Sequence, residues 1–118
     1  MDHPSSDFWE KLENLIAASN PVIDRPKGTA HPHYPDLIYP LDYGFLEDTT
    51  SPDGAGIDVW VGSLPEQRLK GIICTVDLNK RDSEIKIILG CTDDEIAMIL
   101  KMLNDGSMGG IWIPKPKT

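Results

Sequence analysis

Apolar positions near the start of the chain recur at helical spacing. Phe8, Leu12, Leu15 and Ile16 fall on one side of residues 7–18, and Glu10, Lys11, Glu13 and Asn14 lie mainly on the other. Ser5 or Ser6 offers the N-cap, and Asn20-Pro21 stops the helix. From Pro21 to Pro40 the pattern changes. Pro26, Pro32, Pro35 and Pro40 each lack an N–H and push the preceding residue into extended backbone, which excludes a long helix. Short extended pieces are expected at 22–25 and 36–39.

Further on, two-residue alternation takes over. In Ile57-Asp-Val-Trp-Val61 the apolar Ile57, Val59 and Val61 share one face, while Asp58 and Trp60 share the other. A buried strand would favour an apolar residue at 58, so the Asp58 carboxylate is expected to meet solvent or a cation. Residues 69–78 contain the β-branched run Gly71-Ile-Ile-Cys-Thr-Val76, typical of a central strand. The charged turn Asn79-Lys-Arg-Asp82 leads into 84–89, where Glu84, Lys86 and Ile88 face one way and Ile85, Ile87 and Leu89 the other, so the two runs read as a hairpin. Thr92-Asp-Asp-Glu95 is a capping box, followed by Ile96, Ile99, Leu100 and Leu103 at helical intervals. Gly106 ends that helix, and 110–113 reads as a last short strand.

The expected fold is α+β and mostly β: a small five- to six-stranded OB-like barrel, one helix at the N-terminus and one near the C-terminus. At 118 residues the chain is expected to be a single domain spanning 1–118. Its 40% hydrophobic and 25% charged residues are ordinary globular usage, which excludes disorder as a description of the whole. No apolar run approaches the ~20 residues of a membrane span, and no secretory signal pattern opens the sequence. Cys74 and Cys91 are read as reduced, buried thiols, and a cytoplasmic location follows as the expectation. The net charge of −8 opposes nucleic-acid binding, which relies on Lys and Arg neutralising phosphates. Trp9, Trp60 and Trp112 supply either core or the interface of a homo-oligomer.

Candidate chemistry centres on carboxylates. Asp53 and Asp58 bracket a Gly-rich turn, Asp77 ends the central strand, and Asp82 and Glu84 follow the next turn. If strands 57–61, 69–78 and 83–89 are neighbours, these acids converge at one mouth of the sheet and could hold Mg²⁺, a hard cation that favours oxygen ligands. Arg25, Lys27 and Lys86 are available to an anionic substrate. His31 and His33, two apart, could share a strand face and ligate zinc with a third ligand from elsewhere. Otherwise they are surface or hydrogen-bonding residues. Asp93 and Asp94 suit a helix N-terminus and are assigned to stability. No P-loop or GxGxxG motif occurs.

The runs Ile23-Asp-Arg-Pro-Lys-Gly28, Tyr39-Pro-Leu-Asp-Tyr-Gly-Phe45 and Asp53-Gly-Ala-Gly-Ile-Asp58 together resemble the soluble, Mg²⁺-dependent (family I) inorganic pyrophosphatases, over about residues 22–89. The resemblance implies a five-stranded barrel and a Mg²⁺-dependent phosphoanhydride hydrolase using two or more ions. Inorganic pyrophosphate is the implied substrate, split to two phosphates.

Residue by residue, the resemblance makes Asp53 and Asp58 the outer metal ligands of an Asp triplet and Asp77 a later ligand. Either Asp82 or Glu84 is the next ligand. Asp82 keeps the family's spacing from Asp77, and Glu84 keeps its spacing to Lys86. Tyr43 hydrogen-bonds a phosphate oxygen or a neighbouring carboxylate, Lys86 stabilises phosphoryl oxygens, and Asp24 stands where the family has a Glu. Arg25 and Lys27 have no sure counterpart but could reach phosphate. Three features depart from the family. Ala55 replaces the middle acid, which orients or deprotonates the nucleophilic water. A Lys- and Arg-bearing hairpin is missing, and so is a C-terminal Tyr-Lys pair. These departures motivate the alternative of a catalytically weak or silent metal- or phosphate-binding barrel serving as an interaction module, and a more open mouth would also admit a nucleotide.

Overall fold

The computed structural model describes residues 4–52 and 54–117, with the side chains of Pro4 and Ser5 left aside. Helix α1 runs Pro4–Ala17, so Ser5 and Ser6 lie inside its first turn rather than capping it. Proline is tolerated at that first turn, because its missing N–H has no intrahelical acceptor to lose. The strands are β1 (Pro21–Arg25), β2 (Asp42–Leu46), β3 (Asp58–Val61), β4 (Leu69–Asp77), β5 (Asp82–Leu89) and β6 (Met108–Pro114). Helix α2, Asp93–Met102, precedes β6 and carries the expected capping box: the Thr92 side chain accepts from Glu95 N, and the Glu95 carboxylate accepts from Thr92 N. No helix is long and apolar enough to cross a membrane among the described residues.

The six strands form one mixed sheet in the order β1-β2-β3-β5-β4-β6, antiparallel throughout except for the parallel β3–β5 pair. This corrects the expected barrel: the sheet is open, with β1 and β6 as its edges. Two features oppose closure. Apolar side chains line both faces. Leu12 and Ile16 of α1 pack with Leu46, Val59, Val61, Ile87 and Leu89 on one face, and Ile96, Ile99 and Leu103 of α2 pack with Trp60, Ile73 and Ile88 on the other. A sheet covered on both sides has no single interior to curl around. The β6 edge is also blocked. Asn104 donates to Gly110 O and accepts from Gly110 N, both at 3.0 Å, and Pro114 has no N–H to offer.

The alternation read at β3 holds. Val59 and Val61 belong to the α1-side cluster and Trp60 to the α2-side cluster. The segment 36–39 is not a strand and contributes only an isolated bridge between Ala30 and Ile38. Strand β2 instead begins three residues later, and Gly44 lets it approach β1, because a Cβ there would lie 1.8 Å from the Val22 carbonyl oxygen. Trp9 and Trp60 are buried and Trp112 packs against the α2-side core. Full burial of a large apolar side chain contributes about 1.5–3 kcal/mol, so Trp9 and Trp60 act in the core. Cys91 is buried and its thiol is pushed up to about 12 by burial and then by Glu95. Cys74, expected to be buried, is only half-buried. With Phe8, Leu12, Ile57 and Ile85 it lines a cavity of about 510 Å³ on the α1 side.

Candidate functional site

The sheet register decides which polar side chains meet. In the parallel β3–β5 pair Asp58 stands beside Lys86, and in the β4–β5 hairpin Thr75 stands opposite Glu84. Side chains of cross-strand partners share a face. Tyr43 on β2 is paired with Trp60 on β3, and their rings lie 4.7 Å apart.

Lys86 is the centre of the arrangement. It is 6% exposed, and its Nζ donates to Asp58 Oδ2 at 2.8 Å, Glu84 Oε2 at 3.3 Å and Tyr43 Oη at 3.3 Å. Burial works against the ammonium, but Tyr43, Asp58 and Glu84 outweigh it and raise the Lys86 pKa. The same crowding acts on the acids. Burial raises the Glu84 pKa, Lys86 opposes the rise, and Asp58, within hydrogen-bonding reach, adds to it. Tyr43 is raised in the same direction, mainly by burial. The reading that Asp58 needs a cation or solvent is met by Lys86.

A row of rings extends from this cluster. Tyr43 stacks on Tyr39 at 5.4 Å and 27°, and Tyr39 stacks on His31 at 6.1 Å and 11°. The Arg25 guanidinium donates to the Tyr39 hydroxyl and lies 5.5 Å from the Tyr39 centroid and 5.9 Å from that of Tyr43. Burial lowers the Arg25 pKa, but the Tyr39 hydrogen bond and its neighbours raise it overall. Tyr39 was not singled out from the sequence, although its four-residue spacing to Tyr43 in the Tyr-Pro-x-x-Tyr run was the available signal.

The remaining sequence candidates stand apart. Asp77 Oδ1 accepts from Asn79 N at 2.9 Å, Lys80 N at 3.3 Å and Ser107 Oγ at 3.0 Å. The Lys80 amide chiefly, with Ser107 and Asn79, holds this carboxyl below the usual range, so the group organises the hairpin turn. Asp82 opens β5 opposite Asp77. Asp24 is exposed, as is Lys27, whose backbone N–H donates to Asp42 Oδ1 at 2.8 Å. Asp53 lies outside the described residues, and Ala55 is exposed. Among the described residues, no three His, Cys, Asp or Glu side chains are placed to hold a metal ion. The structure thus brings together Tyr43, Asp58, Glu84, Lys86 and Arg25, and does not bring Asp77 or Lys27 to them.

These features define an α+β protein whose mixed sheet buries an ammonium between two carboxylates and a tyrosine. Two curated proteins, the soluble inorganic pyrophosphatases of Oryza sativa subspecies indica and japonica, are each 27% identical to this chain over 118 aligned positions. The matches cover 78% of this chain and 54% of each relative, so the chain spans about half the length of the curated relatives it matches. No protein-family model matches it. The chain is therefore distantly similar to soluble inorganic pyrophosphatase, in line with the resemblance carried by its three sequence runs.

Proposed function

We propose that this chain is a hydrolase of a small phosphoanhydride, with inorganic pyrophosphate as substrate, acting at the Tyr43–Asp58–Glu84–Lys86 cluster. The observation that carries the reading is Lys86, a buried ammonium held by two carboxylates and a phenol on adjacent strands. That grouping gives a fixed cation for phosphoryl oxygens and acids for the water side of the reaction. The similarity to soluble inorganic pyrophosphatases supplies the substrate class.

The donor set suits one ion better than several. Asp58 and Glu84 with one Lys86 leave a single net negative charge, which fits one Mg²⁺ bound through one or two carboxylates and the substrate's own phosphates. When bound, the ion would supply charge neutralisation at the phosphate oxygens. Lys86, whose three N–H groups go to Asp58, Glu84 and Tyr43, contributes its charge to holding the anion, and the Tyr43 hydroxyl orients it. Arg25, against Tyr39 and Tyr43, offers a second cation on the outer side. Glu84, whose pKa is raised, is the carboxyl suited to exchanging a proton with the attacking water. With Ala55 in place of an acid, turnover is slow.

The test is phosphate release from pyrophosphate with and without millimolar Mg²⁺, for the wild type and for Asp58→Asn. Release that requires both Mg²⁺ and Asp58 is expected, and Ala55→Asp should raise it. A folded protein that releases no phosphate overturns the hydrolase reading. The second reading, a silent phosphate-binding module, is favoured by Asp77, whose carboxylate is occupied by a turn and a serine.

A further inference from the structure

Helix α1 closes over only part of its face of the sheet. Strand register fixes the rows of that face. Ile113, Ile72 and Ile87 lie side by side across β6, β4 and β5, and Val59 of β3 adjoins Ile87. Ile72, Ile87 and Val59 are buried, the last two in the cluster that Leu12 and Ile16 of α1 pack against. Two residues along each strand, the next row is Ile111, Cys74 and Ile85, and beyond it stand Gly109, Val76 and Ser83. Among the described residues nothing covers this block. Ile111 is 62% exposed, Val76 53% and Ile85 43%, and Phe8 at the margin of the helix is 41% exposed.

None of the six positions in the block is charged, in a chain with 25% charged residues. An antiparallel sheet that faces water on one side ordinarily alternates apolar-in with polar-out. Here the outward positions are apolar as well, the pattern of a sheet that has a layer on each face. The cavity of about 510 Å³ shares Phe8, Cys74 and Ile85 with the block and continues it toward α1. Ile111, Val76, Ile85 and Phe8 together present roughly 400–500 Å² of contiguous apolar surface, a size at which patches on soluble proteins mark interaction sites.

Area and charge identify the occupant. A standard interface buries about 800 Å² per partner and a homodimer interface is about 65% apolar, so a dimer needs about 500 Å² of apolar surface from each copy. The patch supplies close to that amount. Two chains of net charge −8 repel at long range, and this uncharged block is a surface on which neither presents a carboxylate to the other. A strongly charged partner would find nothing here to pair with. Joining edge to edge is closed at β6, where Asn104 occupies Gly110 and Pro114 lacks an N–H. Packing face to face remains open.

We propose that the protein forms a two-fold symmetric homodimer in which the β4–β5–β6 face on the α1 side packs against the same face of a second copy. Ile111, Val76 and Ile85 form the centre of the interface, with Cys74 between them and Phe8 at its margin. The two sheets stack as the layers of a sandwich. Glu84 and Lys86 alternate with Ile85 and so lie on the other face of β5. The inference therefore goes beyond the hydrolase reading and does not rest on it.

Sedimentation equilibrium of the full chain over about 1–100 µM reads the association directly. The mass is expected to rise from 13.1 kDa toward twice that value. Ile111→Lys and Val76→Lys each place two unpaired ammonium groups in the symmetric interface and should weaken dimerisation about tenfold or more. Both side chains are more than half exposed in the single chain, so the variants keep its fold. Met98→Lys adds the same charge at an exposed position of α2 and should dimerise as the wild type does. Cys74 supplies a reading that needs no variant. It stands between Ile111 and Ile85, so its alkylation should slow about twofold or more from the dilute to the concentrated end of the range. A wild type that stays at 13.1 kDa throughout overturns the proposal and leaves the face to a different partner. A dimer as tight in Ile111→Lys and Val76→Lys as in Met98→Lys, or one in which Cys74 reacts equally fast at both concentrations, puts the interface elsewhere and overturns it too.

Discussion

Replacing Lys86 with methionine keeps most of the stem's volume and deletes the ammonium. In the wild type, Nζ lies 2.8 Å from Asp58 Oδ2 and 3.3 Å from Glu84 Oε2, with side-chain exposures of 7% for the lysine, 23% for Asp58 and 16% for Glu84. At an effective dielectric constant of about 20, each contact is worth roughly 5–6 kcal/mol of Coulomb energy, offset by several kcal/mol of desolvation per ion. The net worth of the cluster is therefore small, but removing one partner is not. Two neighbouring carboxylates would be left partly buried and unpaired, and the expected loss is about 3–5 kcal/mol at pH 7. Against a total stability of about 5–15 kcal/mol, the variant still folds at the upper end of that range.

The sign of the pH dependence follows from the acids. Without Lys86 the Glu84 pKa rises further, so the folded state binds more protons than the unfolded state between the unfolded carboxyl pKa and the raised folded one. Stability then increases as pH falls through that window, and the deficit relative to wild type narrows from pH 7 to pH 5. In the wild type the raised Lys86 pKa places its contribution fully below the unfolded lysine pKa, to be lost only as strongly alkaline pH passes the folded value. Urea denaturation of both proteins at pH 5 and pH 7 reads these differences. A cost under about 1 kcal/mol at pH 7, as for an exposed pair, or a deficit equal at the two pH values, would refute the account.

Three other changes probe the frame. Thr92→Ala removes half of the capping box and should cost about 1 kcal/mol in denaturant melts, with Thr92→Ser retaining most of it. Native alkylation at pH 8 should label half-buried Cys74 and spare Cys91, whose thiol is enclosed and pushed up to about 12; rapid double labelling by mass spectrometry would contradict the burial. Asn104→Ala frees the Gly110 N–H and C=O at the β6 edge, so concentration-dependent association should appear in sedimentation, and a variant as dispersed as wild type would show the edge is protected otherwise.

Much of the scaffold was legible because its signals are local. The capping box at Thr92–Glu95 involves residues three apart, and the β4–β5 hairpin is flagged by a β-branched run before a charged turn and alternation after it. Strand β2 was missed because its alternation is interrupted by Gly44, whose purpose shows only when Val22 of β1 is in place. The open sheet was likewise hidden. Whether edges join depends on where Asn104 and Pro114 lie, which no pattern of apolar residues reports. At the site, Asp58 declared itself as an acid on a core face. Asp77 did not, because an aspartate in a turn and an aspartate on a metal look alike until the amides of Asn79 and Lys80 are placed.

Charge is unevenly placed around the cluster. Lys86 Nζ lies 5.6 Å and the Arg25 guanidinium 5.9 Å from the Tyr43 ring centroid. On the Lys86 side the excess charge is negative, since two carboxylates face one ammonium. On the Arg25 side it is positive, since the guanidinium has no carboxylate within ion-pair distance among the described residues. A bare polyanion entering on the carboxylate side would be repelled, whereas one entering over Tyr39 would be attracted. A phosphoanhydride carrying a divalent cation would satisfy both sides at once, with the cation toward Asp58 and Glu84 and the free phosphate oxygens toward Arg25. That polarity also bears on Ala55. A third acid would strengthen cation binding at the carboxylate end without touching the anion end, so Ala55→Asp should alter the Mg²⁺ dependence of phosphate release.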